Sequence, residues 1–172
     1  MSFDEVILER RSIRKYKEES ANSLDIRAII KVGILAPSAH NRQPWKVKVF
    51  SKQEKEEIYK SLVEKASLDP SINNTAGIIN EVPTLIGVFY NPEGDFRDHD
   101  LLSIGAFVEN MHLKATDLGL GSLWIANTDY IKEEIKKIAN CDLECVSCLA
   151  VGYKNQEPKM RPRKTLEEII MK

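Results

Sequence analysis

Apolar residues recur along this chain at two spacings, three-to-four and two, and the switches between them mark out the elements. Ser2-Phe3-Asp4-Glu5 reads as a capping box opening a first helix, with Phe3, Val6, Ile7 and Arg10 on one spacing, so the apolar stripe runs into arginines. Ser23 is the candidate N-cap of a second helix with Ile26, Ile29, Ile30, Gly33 and Ile34 inward, and Pro37 ends it. Trp45 to Phe50 alternates through Val47 and Val49 as a strand. Ser51-Lys52-Gln53-Glu54 repeats the capping box before a helix carrying Ile58, Leu62, Val63 and Ala66. Residues 68–76 are polar and turn-rich and are expected to be mobile.

Leu85 to Tyr90 is a continuous apolar run suited to a buried strand, with a loop expected at 91–95. Asp98 to Leu118 is the longest helical pattern. Leu101, Ile104, Gly105, Val108, Met111, His112 and Ala115 fall near one face, with Leu102, Phe107, Leu113 and Leu118 elsewhere. A helix apolar nearly all round is expected at the centre of the fold. Gly119 stops it, and Ser122 to Ile125 reads as a strand. Ile131, Ile135 and Ile138 define a short amphipathic helix, and Cys145 to Tyr153 a last strand. A Pro- and Lys-rich stretch over 154–164 precedes a short helix capped by Thr165.

Helices outnumber strands without regular alternation, and no repeat, low-complexity tract or linker interrupts 1–172. The expectation is a single α+β domain, one layer of sheet with helices packed on it. The 172 residues suffice for a real core, and 42% hydrophobic with 30% charged is ordinary for a globular chain. A net charge of -1 supplies no global field toward nucleic acid or an anionic membrane. The first residues lack the layout of a secretory signal, no apolar run is long enough to span a membrane, and the three cysteines make a poor disulfide framework. A cytoplasmic protein is expected.

Two segments carry candidate chemistry. Ala36-Pro37-Ser38-Ala39-His40-Asn41-Arg42-Gln43-Pro44-Trp45 packs hydroxyl, imidazole, amide and guanidinium groups between two prolines. Amides donate and accept, so they suit the edge of a flat heterocycle, and the prolines limit the entropy lost on binding. Arg10-Arg11-Ser12-Ile13-Arg14 offers guanidinium forks and a hydroxyl, the donors a phosphate wants, and Arg161-Pro162-Arg163 a second basic pair. Cys141, Cys145 and Cys148 have the C-x3-C-x2-C spacing of an iron–sulfur site. However, the last two open an apolar strand, where residues three apart face opposite ways, so buried structural cysteines are expected. His40, His99 and His112 show no metal spacing, and no P-loop, G-x-S-x-G or G-x-G-x-x-G occurs.

In this order and spacing, the two segments, the helix ending in Leu118-Gly119-Leu120-Gly121-Ser122-Leu123-Trp124-Ile125, and Val151-Gly152-Tyr153 before Arg161-Pro162-Arg163-Lys164 resemble the FMN-dependent nitroreductase family. The resemblance implies a mostly antiparallel sheet flanked by helices and an entwined homodimer with FMN at the subunit interface. By motif position, Arg10, Arg11, Ser12 and Arg14 would hold the phosphate and nearby flavin edge, with Arg161 and Arg163 completing the phosphate site. Asn41 and Gln43 would meet the pyrimidine portion, with Ser38, Ala39 and His40 contributed across the dimer. Trp124, Ile125, Ala126 and Asn127 would lie over the ring near N5. A further asparagine contact falls to Asn73, Asn74 or Asn80. Two departures stand out: the chain is short for the family, and Ala126-Asn127 replaces the acidic residue and glycine of many members.

The implied activity is NAD(P)H-dependent reduction of nitroaromatics, quinones or similar electrophiles by ping-pong hydride transfer. The alternatives are another flavin chemistry on the same fold, reductive dehalogenation or flavin cleavage, and a module that binds phosphate or nucleic acid through its basic clusters.

Overall fold

The computed structural model describes residues 1–67, 69–91 and 96–171. Its strands are β1 (Lys46–Val49), β2 (Thr84–Tyr90), β3 (Gly121–Ile125) and β4 (Glu144–Gly152). They form one antiparallel sheet in the order β1-β2-β4-β3. The helices are α1 (Phe3–Glu9), α2 (Ser23–Gly33), α3 (Lys52–Lys65), α4 (Ser71–Glu81), α5 (Arg97–Asp117), α6 (Lys132–Ala139) and the single turn α7 (Leu166–Ile169). Short 3-10 turns cover Ala39–Asn41 and Asn127–Ile131. Most of the loop expected at 91–95 lies outside the described residues.

Every residue of β2 is buried, because helices cover both faces of the sheet. Ile86, Val88 and Tyr90 pack with α2 and α5 through Ile29, Phe107 and Met111. Leu85 and Phe89 pack with α3, α4 and α6 through Ile58, Leu62, Ile79 and Ile135. Side chains alternate between two separate cores, so the strand reads as one unbroken apolar run. The capping boxes at Ser2, Ser51 and Thr165 are all present. The second helix begins one residue earlier than expected. Asn22, not Ser23, is its cap, accepting from the Asp25 N–H at 2.9 Å.

Two expectations fail for physical reasons. The stretch expected to be mobile contains most of α4, whose Ile72, Thr75, Ala76 and Ile79 are buried at helical spacing. Asp69 supports its start, accepting from Ser71 N–H at 2.8 Å and from the Tyr130 hydroxyl at 3.0 Å. Second, Cys145 and Cys148 belong to the same core, not to opposite faces. A β-bulge is the cause: Val88 pairs with Ser147 but Phe89 with Cys145, leaving Val146 as the extra residue. Both thiols are buried as expected, and the hydrogen bond with Cys145, then burial, pushes the Cys148 thiol up.

Candidate functional site

The arginine segment is fastened across one end of the sheet. Ser12 forms a parallel bridge to Ser122, and Ile13 N–H donates to the Ser122 carbonyl at 3.0 Å. Further on, Lys17 N–H donates to Tyr153 O and Asn155 N–H to Lys15 O, both at 2.9 Å, where the chain leaves β4. The Tyr16 hydroxyl closes the turn onto Ile13 O at 2.6 Å. This approach needs a bare backbone at Gly121, where a Cβ would stand 2.8 Å from Ile13 Cγ2. Gly121→Ala is therefore expected to lift the segment from β3 at a cost of about 1–3 kcal/mol. Chemical denaturation reads the effect, and an unchanged midpoint would show that Ile13 moves aside freely.

Beneath the segment, His112 of α5 is 2% exposed, and its Nδ1 lies 2.8 Å from Ser122 Oγ. Burial, then the nearby Arg10 charge, lowers its pKa from 6.5 to about 4, so the ring is neutral at neutral pH. Between those two values the unfolded chain binds a proton that the folded chain does not. Stability is therefore complete above pH 6.5 and falls as pH drops toward 4, by about 3 kcal/mol for this group. Glu109, whose pKa is raised by burial, adds a slope of opposite sign in the carboxylate range. Comparing parent and His112→Asn across pH 4–7 isolates the histidine: its slope is expected to vanish in the variant, and identical profiles would contradict the assignment.

Two neighbouring cavities open around this scaffold. The smaller, about 250 Å³, is walled by Arg10, Arg11, Ser12 and Arg14 from one segment and Lys159, Arg161 and Arg163 from the other. The two basic stretches, far apart in sequence, thus face one ligand-sized space. Backbone carbonyls orient the forks: Arg11 Nη1 donates to Leu8 O at 2.6 Å and Arg10 O at 2.8 Å, and Arg14 Nη1 to Ser12 O at 3.2 Å. Arg10 Nε lies 3.7 Å from Glu109 Oε1.

The larger cavity, about 660 Å³, shares Arg14 with the first. Ile125, Ala126 and Asn127 line one side, and Asn73 and Asn74 from the first turns of α4 another. Asn80, at the far end of that helix, lines a different hollow beside Lys55 and Val82. Asn127 Nδ2 donates to Ser71 Oγ at 3.3 Å, tying the two walls together. Trp124 is 40% exposed and lines the cavity, with its indole passing close to Gly105 of α5. Lys15, Ser71 and Gln156 also line this space. Sequence reasoning missed them: Lys15 could have been found as the neighbour of Arg14, whereas nothing local marks Ser71 or Gln156.

Ser38, Ala39, His40, Asn41 and Gln43 line neither cavity within one chain. Their loop sits instead over the start of α5, where Ala39 N–H donates to Ser103 Oγ at 3.3 Å. His40, Asn41 and Gln43 all hold positive φ, at 51°, 54° and 48°. Three non-glycine residues in the left-handed region mark a loop whose shape is imposed by its surroundings.

Among the described residues no cluster of His, Cys, Asp and Glu could hold a metal ion, and no helix is long and apolar enough to cross a membrane.

The helix-flanked antiparallel sheet is a fold known from other proteins. The Nitroreductase family model matches residues 7–153, and the chain belongs to that family. An Archaeoglobus fulgidus protein, provisionally named NADH dehydrogenase/NAD(P)H nitroreductase, is 32% identical over 134 residues, covering 77% of this chain and 70% of its own. A provisionally named nitroreductase from Desulfovibrio desulfuricans, solved in complex with FMN, superposes with a TM-score of 0.82 at 25% identity, covering 100% of this chain and 96% of its own. A BluB-like flavoprotein from Clostridium difficile superposes with a TM-score of 0.83 at 26% identity, covering 99% and 98%.

Proposed function

We infer that this chain is an FMN-dependent oxidoreductase that takes electrons from NAD(P)H and works as a homodimer. The observation that carries the reading is Arg14, which lines both the basic cavity and the larger one. A ligand with a dianionic phosphate at one end and a flat, hydrogen-bonding heterocycle at the other fits that pair of spaces. The larger has the volume usual for a cofactor site. The relatives' names, one with FMN bound and one naming NAD(P)H, support the same ligand set.

In this reading Arg10, Ser12, Arg161 and Arg163 hold the phosphate with charge-assisted donors. Arg11 adds charge while its guanidinium remains bound to the end of α1. Arg14 stands where the pyrimidine edge would lie, and a cation there stabilises the negative charge of the reduced ring. Asn73 or Asn74 supplies the amide contact from α4, a reading supported by their place on the larger cavity, whereas Asn80 lines a different hollow. Trp124, Ile125, Ala126 and Asn127 form the wall beside the ring. Ser38, Ala39, His40, Asn41 and Gln43 reach the site from a second copy. When bound, FMN supplies the hydride chemistry, and the chain's task is to bind, orient and tune it.

A second copy also has apolar surface to cover. Phe3 is 70% exposed on α1 and Leu102 75% exposed on α5, and Leu166 and Ile169 of α7 are likewise open.

Loading with excess FMN followed by gel filtration tests the reading. The expected result is a yellow protein at the mass of two chains, whose flavin is bleached by NADH or NADPH without oxygen and recovers on adding a quinone or nitroaromatic. Steady-state rates should give the parallel reciprocal plots of a ping-pong scheme. Protein that emerges colourless would overturn it.

A further inference from the structure

Arg42 and Asp100 lie outside both cavities, yet they form the best-defined charge pair of the described residues. Arg42 Nε donates to Asp100 Oδ1 at 3.0 Å and Nη2 to Oδ2 at 3.1 Å, a two-pronged pair. Asp100 is 1% exposed, in the first turn of α5, while Arg42 is more open to solvent. The hydrogen bond that Arg42 donates to Asp100 raises the Arg42 pKa further, so the guanidinium stays charged. The guanidinium also sits 4.6 Å from the centre of the Phe96 ring, which meets His40 edge-to-face at 5.8 Å and His99 at 6.1 Å.

These contacts fall at the middle of the strained loop. Arg42 itself has ordinary helical backbone angles, but it is flanked by His40 and Asn41 on one side and Gln43 on the other, all at positive φ. The Ser38 hydroxyl accepts from Gln43 N–H at 3.0 Å, and Ser38 O accepts from Asn41 N–H at 2.9 Å. Side-chain anchors at Ser103 and Asp100, one helical turn apart on α5, therefore fix both ends of the turn. The Asn41 and Gln43 side chains are exposed and make no hydrogen bond among the described residues. The loop is anchored to α5 through Ser103 and Asp100, and its two amides stand free.

We propose that Arg42 and Asp100 are positioning residues for the cofactor: their pair locks the loop in the left-handed conformation that presents Asn41 and Gln43 to the flavin of the second subunit. The proposal rests on the FMN reading above. A preformed loop avoids the ordering cost that a free one would pay on binding, so the pair acts on affinity and on the flavin's potential, although it touches neither the ring nor the phosphate.

The test compares Arg42→Ala, Arg42→Lys, Asp100→Asn, the Ala/Asn double variant and Asn41→Ala in FMN affinity, flavin reduction potential and thermal unfolding of the cofactor-free protein. Arg42→Ala and Asp100→Asn are each expected to weaken FMN binding about 10- to 100-fold, as loss of an orienting partner does at other ligand sites. Both should move the potential in the same direction as Asn41→Ala. The double variant should be no worse than the weaker-binding single, because the two act as one unit. Arg42→Lys keeps the charge but loses the fork and should fall between parent and alanine.

If Asn41→Ala weakens FMN and shifts its potential while the Arg42 and Asp100 variants only lower the unfolding temperature, the positioning role is wrong and the FMN reading stands. If Asn41→Ala also leaves affinity and potential unchanged, the loop does not meet the flavin and the premise fails with the proposal. If any single variant fails to fold, Arg42→Lys, the mildest change, decides: parent-like affinity and potential would overturn the proposal.

Discussion

Arg161→Ala combined with Arg163→Ala is expected to weaken FMN binding about 10²- to 10⁴-fold, the loss of two hydrogen bonds to a charged group at roughly 1.5–3 kcal/mol each. Both arginines line only the basic cavity and belong to an exposed stretch, so the fold should survive their loss. Riboflavin, which lacks the phosphate, is the control. Its affinity should be nearly the same for parent and variant, and the preference for FMN over riboflavin should collapse. Flavin fluorescence quenching measures both. If the variant keeps the parent's FMN affinity, the C-terminal pair does not serve the phosphate. If riboflavin suffers equally, the pair acts through the protein's structure instead. Ionic strength offers a second check, since a site built of converging cations should lose affinity as salt rises, most steeply in the parent.

Phe107→Ala should produce the largest loss of stability among single changes considered, about 3–5 kcal/mol. Phe107 is fully buried where α5 meets α2 and the sheet, and it stacks on Trp45 with ring centroids 4.9 Å apart. Its ring also fills the space beside Gly33, where an added Cβ would come within 2.9 Å. Such close contact leaves little freedom for neighbours to collapse into the hole, which places the cost at the upper end. Chemical denaturation measures it. A loss below about 1 kcal/mol would mean that Met111 or Trp45 refills the space. Trp45 follows directly on the Ser38–Pro44 loop, so a softened floor beneath it should also raise the loop's mobility.

Much of this architecture was legible because single residues announce it. Capping boxes at Ser2, Ser51 and Thr165 set helix starts through local hydrogen bonds that need no tertiary context. The apolar run of β2 declared a strand covered on both faces. The paired basic segments stood out in the sequence by their density of arginines, and the structure brings them to one cavity.

What stayed hidden depended on packing. The start of α4 has poor helix formers in Ser71, Asn73 and Asn74, and its support comes from Asp69 and, through it, Tyr130, distant in sequence. Its helical period was present in Ile72, Thr75, Ala76 and Ile79, but the polar residues between masked it. The helix also sets Asn73 and Asn74 apart from Asn80. At 1.5 Å per residue, six or seven residues separate the two ends by roughly 10 Å, enough to place them at different cavities. The bulge at Val146 was equally invisible, since it is a property of the pairing with β2 and not of β4 alone. The role of Arg42 was hidden for the same reason, because its partner lies 58 residues away.

The two outer edges of the sheet are guarded in different ways. At β1, Lys46 and Lys48 place charges along the rim, a standing defence against pairing with another chain. At β3, the rim is closed instead by the Ser12–Ile13 bridge to Ser122. The stretch whose arginines line the basic cavity is therefore also the cover over part of that edge. Whatever loosens it bares a template for intermolecular pairing, and a ligand held in the basic cavity would guard that edge as well.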